Sequence, residues 1–145
     1  MSDESRFDIA ALLLRSGLGV MFIAHALLKI FVFTVPGTVQ FFGSLGLPAV
    51  VAYATIAAEL AGGIALLLGV YTRSVAFALV PILLGSLWVH AGNGWLFSAP
   101  NGGWEYSAFL TLVAVVVGLL GGGRYSIGAT SAPARRATGG LQRAA

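Results

Sequence analysis

Five ionisable side chains stand inside or beside long apolar runs: His25, Lys29, Glu59, His90 and Glu105. A carboxylate next to an imidazole or an ammonium can hold and pass a proton. The same groups can hydrogen-bond the oxygens of a polar ligand head. Glu59 is the sharpest case, because it is the one side chain charged at pH 7 between Ala49 and Tyr71. On insertion scales a charge at the centre of a lone membrane helix costs about 2.5–3.5 kcal/mol, so Glu59 needs a partner or a proton. His25 and Lys29 are four positions apart and share a helix face. An adjacent antiparallel helix would set that face against Glu59, so the expected pairing is Glu59 with His25, Lys29 or both. Trp88, Trp104 and Tyr106 are expected to wall the space around them. The candidate ligand-binding set is therefore His25, Lys29, Glu59, His90, Trp104 and Glu105. The competing structural reading is a buried ion pair that fixes helix order. Lys29 and Arg15 also have long stems that can carry their charge out to the interface.

Other chemistries fit less well. Imidazole and carboxylate suit zinc or iron, but no two of these residues show ligand spacing on one helix, and no metal site is expected. His25 and His90 stand at different expected depths, which argues against a shared haem. Without cysteine, the chain offers no disulfide, thiol nucleophile or iron–sulfur ligand. Gly121-Gly122-Gly123 lacks the Lys-Ser/Thr of a phosphate loop and reads as a helix stop.

The elements that must position these groups are membrane helices. The sequence is 58% hydrophobic and 9% charged over 145 residues, against about a quarter charged in a soluble domain. Four apolar runs approach the roughly 20 residues of a membrane span: Ile9 to Phe33, Ala49 to Tyr71, Ser74 to Ala91 and Trp104 to Leu120. Short connections favour antiparallel neighbours. The expected fold is all-α, an integral membrane antiparallel four-helix bundle with both termini cytoplasmic. It occupies residues 1–128 as one domain. Residues 129–145, rich in Ala, Gly, Thr, Ser and Arg, are expected to form a disordered cytoplasmic tail. Asp8 can cap the first helix, Pro81 should kink the third run, and Phe41-Phe42 suggests a segment lying at the interface.

Arg6, Arg15, Arg73 and Arg124 lie at the expected cytoplasmic ends of the spans, while 34–48 and 92–103 carry no charge. That asymmetry is a topology signal, not a nucleic-acid surface. The expected surroundings are membrane lipids, and the broad apolar faces are compatible with a homodimer. The N-terminal apolar run is too long for an ordinary signal peptide and is expected to stay as an anchor.

Several stretches together resemble the DoxX family of membrane proteins. They are Arg15-Ser-Gly-Leu-Gly-Val-Met-Phe-Ile-Ala-His25-Ala-Leu-Leu-Lys29, Phe42-Gly-Ser-Leu-Gly-Leu-Pro48, and Glu59-Leu-Ala-Gly-Gly-Ile-Ala-Leu-Leu-Leu-Gly69-Val-Tyr-Thr-Arg73. His90, Gly103-Trp104-Glu105-Tyr106 and Gly123-Arg-Tyr-Ser126 continue the series. The resemblance covers about Ile9 to Ile127. It implies a four-helix protein of the bacterial inner membrane, similar to the small membrane subunit of thiosulfate:quinone oxidoreductase. It also implies that Arg15, His25, Lys29, Glu59, Arg73, His90 and Glu105 occupy the family's polar positions. A glutamine-like position before Lys29 is replaced here by Leu28, and the aspartate that often follows Tyr-Ser is replaced by Ile127. The function expected on this basis is a membrane subunit or partner of a redox complex that binds a quinone or another lipid-like ligand. The alternatives are a scaffold without chemistry and a small proton-coupled transporter.

Overall fold

The computed structural model describes residues 2–127; the expected tail, 129–145, lies outside them. Among the described residues there are five α-helices: α1 Asp3–Leu27, α2 Val35–Ser44, α3 Ala49–Leu68, α4 Thr72–His90 and α5 Glu105–Leu120. Ser2 caps α1 by accepting the Ser5 N–H, and Asp3 and Glu4 sit in the first turn, where acid complements the helix dipole. Asp8, expected to cap α1, instead lies inside the helix and accepts the backbone N–H of Arg124 at 3.0 Å. α1 ends in a π-helical turn, Leu28–Val32, a form that recurs at functional sites.

Thr34 then turns the chain at φ 62 and caps α2 through its hydroxyl. For a β-branched residue this is a strained conformation. α2 exposes Phe41, which meets Phe42 edge to face. α3 stops at Gly69, whose left-handed φ of 73 lets Val70 N–H reach the Ala65 carbonyl, the glycine termination that apolar helices often use. α4 continues through Pro81 as a single helix to His90.

α1 packs chiefly on α3, and α4 on α5, while α3 touches α4 and α5 touches α1. The α1–α3 crossing is close because both sides are glycine. A Cβ on Gly19 would meet the Gly63 carbonyl at 2.8 Å, and one on Gly63 would meet the Gly19 carbonyl at 2.8 Å. Small residues of this kind let membrane helices approach backbone to backbone. Leu18, Phe22, Leu66, Leu79, Leu83 and Val117 form the buried centre.

The antiparallel four-helix bundle expected from the sequence is not what the chain builds. Three helical segments among the described residues, Asp3–Val32, Ala49–Leu68 and Thr72–Asn93, are long and apolar enough to cross a membrane. The fourth expected span becomes α5, with 16 residues. At 1.5 Å per residue that is about 24 Å, short of the roughly 30 Å of a bilayer core. It fills the expected run apart from Trp104, its N-cap, and Gly121 at φ 83 ends it. The fifth helix, α2, occupies what the sequence suggested as a connection.

Candidate functional site

Lys29 sits in the π-helical turn, and its carbonyl accepts the hydroxyl of Thr38, a buried residue of α2. Its side chain reaches across to α3, where Nζ donates to both carboxylate oxygens of Glu59 at 2.9 Å. Glu59 is ten residues into α3, about 15 Å from its start, and is 5% exposed. The pair thus joins the two helices that cross at Gly19 and Gly63, on the side nearer α2.

His25 lies one turn before Lys29. Its Nδ1–H donates to the Met21 carbonyl at 2.8 Å, which fixes the ring on α1. Among the described residues the ion pair with Glu59 is made by Lys29 and not by His25. The imidazole stacks on Tyr106 from α5, with ring centroids 5.8 Å apart. The Tyr106 hydroxyl is buried and has no hydrogen-bond partner among the described residues. A buried hydroxyl left unsatisfied costs about 1–3 kcal/mol.

The remaining candidates stand apart from this pair. His90 donates from Nδ1 to the Ser86 carbonyl at 2.7 Å, while Ser86 and Ser107 share a hydrogen bond of 2.8 Å between α4 and α5. Trp104 meets Trp95 edge to face at 4.5 Å. Glu105 Oε1 accepts the Phe97 N–H at 2.9 Å. Trp104 and Glu105 therefore order the loop before α5. Tyr106, expected only as a wall, follows them in the chain and stacks on His25 of α1. Trp88 is exposed.

Sequence reasoning also missed the setting of Arg15. Its charge does not escape to the interface; the residue is 1% exposed. The guanidinium donates to the carbonyls of Leu66 and Leu67 at the end of α3, and to Gly122 and Tyr125 beyond α5. Residues 121–127 turn back to make this possible, and Ile127 N–H bonds the Leu68 carbonyl at 3.1 Å. The signal was the triple glycine, which does more than stop a helix.

The sequence profile of the DoxX family matches residues 10–92. The chain belongs to the DoxX family. Arg15, His25, Lys29, Glu59, Arg73 and His90 fall inside the match, whereas Trp104, Glu105 and Tyr106 lie beyond it. This DoxX-family chain is also 42% identical over 81 residues to a Bacillus subtilis (strain 168) protein named "Putative oxidoreductase CatD". The aligned stretch is 56% of this chain and 59% of the relative, so the likeness spans less than two thirds of that protein's length. No solved structure matches. The apolar helices and the family together make this an integral membrane protein of the DoxX family.

Proposed function

We propose that this protein is the membrane subunit or partner of a redox enzyme, and that it receives the head of a quinone or another lipid-like ligand beside Lys29 and Glu59. The supporting observation is the Lys29–Glu59 ion pair inside apolar helices, with His25 one turn away on α1 and stacked on Tyr106, whose buried hydroxyl has no partner among the described residues. Quinone oxygens accept hydrogen bonds, and the Tyr106 hydroxyl and the Lys29 ammonium are donors. A quinone, when bound, supplies reversible two-electron, two-proton chemistry. Glu59 and Lys29 would hold or release a proton at its head. The name of the Bacillus relative agrees with a redox setting, and the resemblance to the membrane subunit of thiosulfate:quinone oxidoreductase belongs to the same reading. Purified protein should retain quinone extractable by organic solvent. Glu59→Gln and Tyr106→Phe should each lower that retention several-fold while the protein still elutes as one species. Equal retention in all three proteins, or none in any, rejects the reading.

The scaffold alternative has its own support. Lys29 occupies both oxygens of Glu59, so the pair can be complete without a ligand.

For placement, we propose the bacterial inner membrane, with the α3–α4 turn in the cytoplasm. Arg15, Arg73 and Arg124 gather at the end where residues 121–127 meet Leu66 to Leu68, and basic residues favour that side. A Ser74→Cys variant of this cysteine-free chain should react with an impermeant maleimide in inverted vesicles and not in intact spheroplasts. The opposite labelling pattern would reverse the orientation.

A further inference from the structure

Glu105 heads an open groove of about 520 Å³ along an exposed side of α5. Trp95 and Phe97 wall its mouth, and Phe109 and Leu112, both exposed, continue it down the helix. Positions 105, 109 and 112 are four and three apart and share one face. Seven residues of rise put Leu112 about 10 Å below Glu105. The groove is therefore acidic at one end and apolar along its length.

Among the described residues the charge at that end is uncompensated. Glu105 Oε1 is bonded to Phe97 N–H, and neither oxygen has a basic side chain within ion-pair distance among the described residues. Residues 91–104 carry no charge, and Lys29 and Glu59 neutralise each other. Aromatic faces around a carboxylate attract a cation more strongly than either does alone. With no basic group beside it, the site gives an anionic head nothing to bind.

We propose that this groove is a lipid site selective for a primary-ammonium headgroup, as in phosphatidylethanolamine, with the ammonium on Glu105 and an acyl chain along Phe109 and Leu112. The ammonium donates to the unbonded Glu105 oxygen, and the lipid phosphate stays in water above the groove. The site stands whether or not the Lys29–Glu59 pair holds a ligand.

Native mass spectrometry of the delipidated protein in detergent tests this, with phosphatidylethanolamine and phosphatidylglycerol of matched chains as probes. The wild-type protein should favour the ethanolamine lipid by about tenfold, the order expected for one charge-assisted hydrogen bond. Glu105→Gln should erase that preference. Leu112→Trp fills the groove without touching the Glu105–Phe97 bond, and should weaken binding even where Glu105→Gln disturbs the loop. Equal binding of the two lipids by the wild type, a preference that survives Glu105→Gln in folded protein, or unaltered binding by Leu112→Trp overturns the proposal.

Discussion

Arg15→Leu is expected to lower unfolding stability in detergent by about 3–5 kcal/mol, the upper range for a single substitution. The replacement is apolar and keeps much of the volume, so the loss comes from hydrogen bonding and not from a cavity. Four carbonyls, on Leu66, Leu67, Gly122 and Tyr125, lose their donor together. Each charged hydrogen bond contributes about 1.5–3 kcal/mol, and a buried acceptor left unmade costs more than a bond simply absent from both states. Two of these carbonyls close α3, so the damage falls on a helix end as well as on the 121–127 segment. Arg15→Lys should recover less than half of the loss, since a single ammonium cannot match the planar fork of a guanidinium. Denaturant melts followed by far-UV circular dichroism would measure both variants. A change under about 1 kcal/mol for Arg15→Leu would mean that water replaces the guanidinium readily.

The second large effect is an asymmetry within the Lys29–Glu59 pair. Breaking a buried ion pair by removing one partner typically costs about 3–5 kcal/mol. Lys29→Met should approach that range, because Glu59 is 5% exposed and its short stem, midway along α3, gives it no path to water. Glu59→Gln should cost only about 1–2 kcal/mol, less than the usual range, because the Lys29 side chain is 18% exposed and can move toward the interface. Joining two apolar replacements, Lys29→Met with Glu59→Leu, should return most of the stability, as apolar substitution of a whole buried pair often does. Equal losses from the two single variants would show that both charges are held alike. A double variant as weak as Lys29→Met would show that the pair is needed for packing itself.

What could be read from the sequence follows from the size of each physical effect. A lone acid in an apolar run demands compensation whatever the details, so Glu59 pointed to its partners on α1 before any coordinates. Choosing Lys29 over His25 required the local helix geometry. The π turn at Leu28–Val32 and the Thr38 hydroxyl on the Lys29 carbonyl have no simple sequence signature. The fourth span failed on length: α5 fills all but one residue of the run from Trp104 to Leu120, and its roughly 24 Å is less than the thickness of a bilayer core. α2 was hidden by Pro36 and Gly37, which read as helix breakers, yet proline in a first turn is compatible with a helix start. Within the candidate set, Trp104 was expected to wall the space around Glu59 and Glu105 to join the same ligand-binding set, and the structure ties them to Trp95 and Phe97. Tyr106 reaches α1 through its stack on His25, a contact that spacing along the chain cannot reveal.

The guanidinium clasp also bears on how the protein is made. Arg15 emerges from the ribosome with the first helix, while two of its acceptors lie 107 and 110 positions later in the chain. Throughout synthesis of the intervening helices the cation must stay hydrated or rest on the insertion machinery. A polypeptide cut short before Gly122 would keep half of those acceptors at most. Such a fragment would carry a poorly shielded positive charge beside a membrane segment, a feature by which quality-control proteases could tell unfinished copies from finished ones.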